Sequence, residues 1–363
     1  MPDTQIAVFL GAGASCAEGA PEQSNLFKAY FDYARTLPDK YGYQISITGE
    51  LATFFDIFFG IDVHHGDLSK AQFPTFEEAL GILELAISRE ESFRLYDNAG
   101  LFEQGSKIRS ARGALILLIA LILDHTLENS KGLHNGLLKK LVEEEIVRNF
   151  AFISFNYDIL IDNALVAQHD FVDLDYCLEF TNFTQEQDWH RPNPDRAIRL
   201  LKLHGSLNWL YCPTCRTIKL TPKEKGICKL VFDPQGCTCS CGTMSVPIII
   251  PPTYFKVLSN LYLQEAWNAA EKVLAESEIW AICGYSFPDA DMHVKYLLKR
   301  IQVNSSKLRK VIVFNSHPRK NKHDADNERL RLRRFFGPRF DIDYTNNSFE
   351  DFVNDPLGLL LKS

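Results

Sequence analysis

Short unbroken apolar runs alternate along this chain with stretches of helical periodicity. Ile6–Leu10, residues 151–153 and residues 200–201 read as buried strands, and Ile279–Cys283 and residues 311–314 extend the set. Between the first and second runs the period changes. Apolar positions recur three and four apart over residues 76–87, 111–127 and 137–146, which predicts a mostly helical insert. Residues 43–47 alternate too briefly to assign. A helix over about 291–301 separates the last two strands. The tail predicts a helix near 328–336, a strand over 340–344 and a helix over 349–353. Strands and helices in this order give an α/β class with a doubly wound parallel sheet.

The first three runs each end in a polar cluster: Gly11-Ala12-Gly13-Ala14-Ser15, Ser154-Phe155-Asn156-Tyr157-Asp158 and Lys202-Leu203-His204-Gly205-Ser206. Ligands of open parallel sheets bind outside the carboxyl ends of the strands, so all three clusters converge on one crevice, which suits a dinucleotide. Gly11 and Gly13 let the backbone turn tightly and approach a pyrophosphate at a helix start. Ser15 is placed to cap that helix or donate to phosphate. Cys16 stands where the dinucleotide fingerprint has its third glycine, and no clear acidic residue follows ~20 positions on. Asn156 has both donor and acceptor groups for a water or a ribose hydroxyl. Asp158 can accept from a carboxamide or cap the helix beginning at Ile159. His204, with an ordinary pKa of about 6.5, can act as a base near neutral pH.

Charge and cysteine content narrow the picture. The net charge of −7 argues against a broad nucleic-acid surface, and the basic stretches at 307–310 and 329–334 read as solvated helix faces. The start, Met-Pro-Asp-Thr, lacks the basic region of a secretory signal, and the apolar run 114–123 is shorter than the ~20 residues of a membrane span. Six of nine cysteines lie between Cys212 and Cys241, which points to a metal site in a reducing, cytoplasmic setting. Cys212-x-x-Cys215 and Cys239-x-Cys241 supply four thiolates for a structural zinc. Cys237 competes with Cys239 for the fourth position, and Cys228 is a weaker candidate. Cys16, Cys177 and Cys283 read as small core residues. No His or carboxylate shares the spacing, so the ribbon supports the fold rather than the chemistry.

In this order the motifs resemble the sirtuin family, which has a Gly-Ala-Gly-x-Ser loop, an Asn-x-Asp element, a His-Gly base and a cysteine zinc module. Cys283-Gly284-Tyr285-Ser286 is similar to that family's Gly-x-Ser loop, and Phe314-Asn315 to its strand-end Asn. The resemblance spans residue 5 to about 316, inserts aside. It implies a Rossmann-like NAD-binding domain built from 1–33, 150–208 and 245–363, with a helical insert at 34–149 and a zinc ribbon at 209–244. Gly11, Ala12, Gly13, Ser15, Gly284, Ser286 and Asn315 would then contact NAD. Where protein deacylases continue Gly-Ile-Pro-Asp-Phe-Arg, this chain reads Gly19-Ala20-Pro21-Glu22-Gln23-Ser24. The Asn-Tyr-Asp and Lys-Leu-His-Gly-Ser forms are closer to sirtuin-like domains of bacterial anti-phage defence, which degrade NAD.

That resemblance implies an NAD glycohydrolase giving nicotinamide and ADP-ribose, a gated effector of defence by NAD depletion. Asn156, Asp158 and His204 would be its catalytic residues. Asp158 would hold the carboxamide, Asn156 would place ribose and water, and His204 would take the proton. Control would come from homo-oligomerisation or a partner such as a HerA-type ATPase, with no membrane and no direct nucleic-acid contact. Two alternatives stand beside it. One is an NAD-dependent protein-lysine deacylase. The other is a non-catalytic ADP-ribose or nucleotide-binding module.

Overall fold

A computed structural model describes residues 5–36, 42–97, 105–178, 192–220, 238–249, 260–289, 291–316, 322–338 and 340–361. Cys228 and Cys237, the alternative ligands, lie outside them. Seven strands form one parallel sheet: β1 (Ile6–Leu10), β2 (Phe150–Ser154), β3 (Asp173–Asp175), β4 (Ala197–Lys202), β8 (Ile279–Cys283), β9 (Lys310–Phe314) and β10 (Ile342–Tyr344), in the order β10-β9-β8-β1-β2-β4-β3. The order reverses between β1 and β8, which makes their carboxyl ends the switch point where open sheets bind ligands.

Side chains alternate across the sheet. Val8, Phe152, Leu200, Ala281 and Ile312 face one core, and Phe9, Ile153, Leu201, Ile282 and Val313 the other. The first core is closed by α6 (Leu133–Glu143), α7 (Leu160–Ala167) and α11 (Phe349–Asn354). The second is closed by α8 (Leu261–Glu276), α9 (Met292–Asn304) and α10 (Lys322–Phe336). A last short helix, α12, covers Pro356–Leu361.

Between β1 and β2 lie α1 (Ala12–Glu18), α2 (Leu26–Thr36), α3 (Gly42–Phe59), α4 (Phe76–Arg89) and α5 (Ser106–Leu127). Residues 43–47, unassigned by pattern, belong to α3. Four of these helices, α2 to α5, share a core rich in Phe27, Phe31, Phe54, Phe55 and Phe76. Thr75 and Glu78 start α4 with a reciprocal capping box. Helix α5 reaches 22 residues and meets the length and hydropathy of a membrane span, although its apolar run looked too short for one. Its Leu115, Leu118 and Leu121 are buried in the shared core, a packing that such a helix has inside a protein.

Glu18, at the end of α1, fastens the start of α6. It accepts hydrogen bonds from the amides of Gly132 (2.7 Å) and His134 (2.8 Å) and pairs with His134 Nδ1 at 2.9 Å. Burial works against its charge, but the His134 ring and the backbone amides outweigh it and hold the carboxyl at about 2.

A second, antiparallel sheet has the order β6-β5-β7, with β5 (Gly205–Tyr211), β6 (Ile218–Leu220) and β7 (Val246–Ile249). It begins inside the Lys202–Ser206 motif. A side chain on Gly205, at φ +85°, would stand 1.9 Å from the Ile248 carbonyl oxygen, so β7 lies against the motif backbone.

Candidate active site

Register brings the motifs together. Leu10 pairs with Ser154 and Cys283, Ser154 with Lys202, and Cys283 with Phe314. These last strand residues are level, so Gly11, Phe155, Leu203, Gly284 and Asn315 leave the sheet side by side. Beyond them opens a cleft of about 2020 Å³. Ala12, Gly13, Ser15, Asn156, Asp158 and His204 line it, as do Gly284, Ser286 and Asn315. Gly11 lies beneath it.

The glycines are explained by each other. A side chain on Gly11 would stand 2.5 Å from Tyr285 Cα, and one on Gly13 2.7 Å from Gly284 Cα. Gly284, at φ +68°, would meet Ala14 N at 2.2 Å. The loops after β1 and β8 therefore interlock backbone to backbone, tied by Gly13 N donating to Gly284 O at 2.8 Å. The close approach expected toward a pyrophosphate is made here toward a second loop. Asn315 secures that loop: its Oδ1 accepts from Gly284 N at 2.7 Å, and its Nδ2 donates to Tyr285 O at 2.8 Å and to buried Glu328.

Ser15 does not cap α1. Gly11 holds the cap position without a side-chain bond, and Ser15 Oγ donates to Asp158 Oδ2 instead, at 2.5 Å. Asn156 Nδ2 donates to Ser15 Oγ and to Gly11 O, each at 2.9 Å. Ile159, not Asp158, holds the cap position of α7, but Asp158 Oδ1 accepts from Leu160 N, the first amide of that helix, at 3.1 Å. Each carboxylate oxygen retains a further lone pair for a ligand donor. Under this layer Lys202, fully buried, donates to Asp158 O and pairs with Asp162 Oδ2 at 3.0 Å. Tyr176 OH bonds the other Asp162 oxygen, so the buried charges are matched.

His204 is almost fully buried on the cleft floor. Its Nδ1 is 3.1 Å from Phe155 O, and its Nε2 is 3.4 Å from Asp291 Oδ2. Tyr285 OH donates to the same Asp291 oxygen at 2.8 Å, and its ring stacks on Phe155 with centroids 4.1 Å apart. Burial, with Asp291 close by, pushes the Tyr285 hydroxyl well above its ordinary range. Burial does the same to Tyr157. Both stay protonated at neutral pH.

The insert adds a carboxyl. Phe76, at the start of α4, meets the Tyr157 ring edge-on at 6.1 Å, and Glu77 beside it lines the cleft. Gln23 Nε2 donates to Glu77. Burial, helped by the charges of Asp291 and Glu78, pushes the Glu77 carboxyl up to about 7.

Sequence reasoning missed Asp291, Tyr285 and Glu77. Asp291 reads as an N-cap for α9, a place where Asp is ordinary, but its side chain makes no cap bond. Glu77 is masked by the acidic first turn that the Thr75 capping box already explains.

Away from the cleft, Cys212, Cys215, Cys239 and Cys241 bring their sulfurs within 4.8 Å of one another. Cys212 and Cys241 are 3.5 Å apart, and Cys215 and Cys239 3.3 Å. Thiolates around zinc at ~2.3 Å would stand about 3.8 Å apart, so the four sulfurs fit a tetrahedral ion. Hydrogen bonds, chiefly the Cys241 amide and then the Thr217 hydroxyl, pull the Cys239 thiol down to about 6. That favours the thiolate a metal needs.

Residues 151–334 match the family model of a SIR2-like domain, about half of the chain. None of the curated proteins matches it. Among solved structures, the chain is similar to a Sir2 homologue in complex with NAD at 11% identity and a TM-score of 0.41, over 97% of this chain and 87% of that one. It is also similar to Sir2 with a p53 peptide and NAD+ at 14% identity and a TM-score of 0.40, over 99% and 94%.

Proposed function

Because the chain belongs to the SIR2-like family, we propose that it binds NAD in the cleft and hydrolyses it to nicotinamide and ADP-ribose. The convergence of Asn156, Asp158 and His204 on one cleft, at the switch point of the sheet, carries this reading. Nicotinamide leaves NAD as a neutral molecule from a cationic one, so departure needs no general acid. The ribose passes through an oxocarbenium-like state, as in glycoside cleavage. Asp158, anchored by Ser15 and the α7 amide, accepts from the carboxamide. Asn156 places ribose and water, and His204 takes the proton from the attacking oxygen.

Gln23 favours hydrolysis over deacylation. It stands in the segment where deacylases carry Asp-Phe-Arg, and here it bonds Glu77 of the insert. The segment thus serves to attach α4, whose Glu77 carboxyl lines the cleft. The four cysteines hold a structural zinc and no reacting group. Likeness of the Asn-Tyr-Asp and Lys-Leu-His-Gly-Ser forms to defence effectors extends the proposal to a gated role in NAD depletion, through self-assembly or a HerA-type partner.

Product analysis with NAD, with and without an acetyl-lysine peptide, tests the reading. Nicotinamide and ADP-ribose form without peptide and are lost in His204→Ala. Release of nicotinamide that requires the peptide, with an acetylated ADP-ribose, would make the chain a deacylase. Binding of NAD without turnover would make it a nucleotide-binding module.

A further inference from the structure

Four contacts around His204 close into a ring. The Phe155 carbonyl faces Nδ1 at 3.1 Å, Asp291 faces Nε2 at 3.4 Å, Tyr285 OH holds Asp291 at 2.8 Å, and the Tyr285 ring stacks back on Phe155 at 4.1 Å. A carbonyl oxygen only accepts, so Nδ1 carries the hydrogen of the neutral imidazole and the lone pair sits on Nε2. The base therefore works at the nitrogen that already faces a carboxylate. Asp291 is fully buried, and its side chain makes no bond to the start of α9, where an Asp would ordinarily cap. Among the described residues, Tyr285 and His204 both meet its Oδ2.

We propose that Asp291 is the positioning residue of the His204 base, receiving the hydrogen bond from Nε2 when that nitrogen takes up a proton. The proposal rests on NAD hydrolysis as the reaction. In that step the water oxygen bonds ribose C1′ and the C1′–N bond to nicotinamide breaks, its electron pair leaving with the now neutral ring. The water proton passes to Nε2 and later to solvent. Asp291 stabilises the imidazolium, as the Asp of a hydrolytic triad does at the opposite ring nitrogen. Among the described residues, groups around the pair include Tyr157, whose ring is 6.4 Å from His204, Tyr285 and Glu77. The two tyrosines are neutral over the working range, and Glu77 changes charge near pH 7. On α9 itself, His293 packs against Trp267.

The test titrates the His204 imidazole by NMR in the full chain and records the pH profile of NAD cleavage, for wild type, Asp291→Asn and Asp291→Glu. The wild-type titration of His204 is the reference. In Asp291→Asn its titration moves to lower pH and the acidic limb of kcat moves with it. There kcat falls by roughly 10²-fold while KM for NAD changes little, and Asp291→Glu recovers part of the loss. A His204 titration that is the same in wild type and Asp291→Asn overturns the proposal. If Asp291→Asn fails to fold, Tyr285→Phe, which removes only the hydroxyl that holds Asp291, takes its place, and an unmoved His204 titration there overturns the proposal. An Asp291-dependent titration in a protein that never cleaves NAD would sink the hydrolase reading and leave the pair standing.

Discussion

Ser15 Oγ donates to Asp158 Oδ2 at 2.5 Å across 143 positions of sequence, and Ser15 Oγ itself accepts from Asn156 Nδ2 at 2.9 Å. One hydroxyl therefore orders both polar residues of the Asn-Tyr-Asp motif and ties them to the turn after β1. Ser15→Ala leaves Asp158 with the Leu160 amide and Asn156 Nδ2 with the Gly11 carbonyl alone. It should destabilise the fold by about 1.5–3 kcal/mol, the range for a hydrogen bond to a charged group. NAD cleavage should drop by at least tenfold. Denaturant melts and initial rates measure the two losses, and a fully active, equally stable variant would contradict the assignment.

Glu18 makes a prediction in acid. Its folded carboxyl sits near 2, below the ordinary 4.5. A depressed acid stabilises the fold above the ordinary value, and that contribution is lost as pH falls from 4.5 toward 2. The difference corresponds to about 3 kcal/mol. Glu18→Gln should therefore be less stable than wild type by about that much at pH 7, with the gap closing by pH 2–3. Parallel urea titrations across pH would show a constant gap if the latch to α6 were unimportant.

Glu77 works in the opposite sense. Its carboxyl is raised to about 7, so ionisation costs the folded state as pH rises from 4.5 through 7. Glu77→Gln should match wild type near pH 4 and exceed it by about 1–3 kcal/mol at pH 8, a range discounted for its partial exposure. Loss of stability in the variant at pH 8 would mean that the Gln23 bond matters more than the buried charge.

Zinc content gives a separate check. The wild-type chain should carry one zinc ion, and Cys215→Ser should lose it. Because β7 lies against Gly205, next to His204, loss of the ribbon should reach the cleft and lower NAD turnover as well as the melting temperature. Elemental analysis beside activity assays separates the effects. Full turnover in a zinc-free protein would detach the ribbon from the site.

Much of this arrangement was legible because parallel strands are apolar on both faces and end abruptly. Ile6–Leu10 and Ile279–Cys283 have the bounds their apolar runs suggest, and the polar residues after them do meet. The antiparallel sheet was not legible. Strand β5 opens on motif residues that look like loop, and its partner β7 arrives from beyond the cysteine turns. Helix α8 also went unassigned, although its Trp267, Ala270 and Leu274 are spaced for the core they enter. Partners such as Asp291 stay hidden for another reason. A residue with an ordinary local explanation gives no sign that a distant side chain claims it.

The interlock of Gly13 with Gly284 sets what an engineer can do here. Neither position takes a side chain unless the partner loop retreats, and retreat would part β1 from β8 at the floor of the cleft. Random mutagenesis should return both codons unchanged, with no second-site rescue at the partner, because the partner is already the smallest residue there is. Ser286, two positions on, is exposed at the rim. A cysteine-reactive dye on Ser286→Cys would watch the cleft fill without adding a side chain to the interlock beneath it.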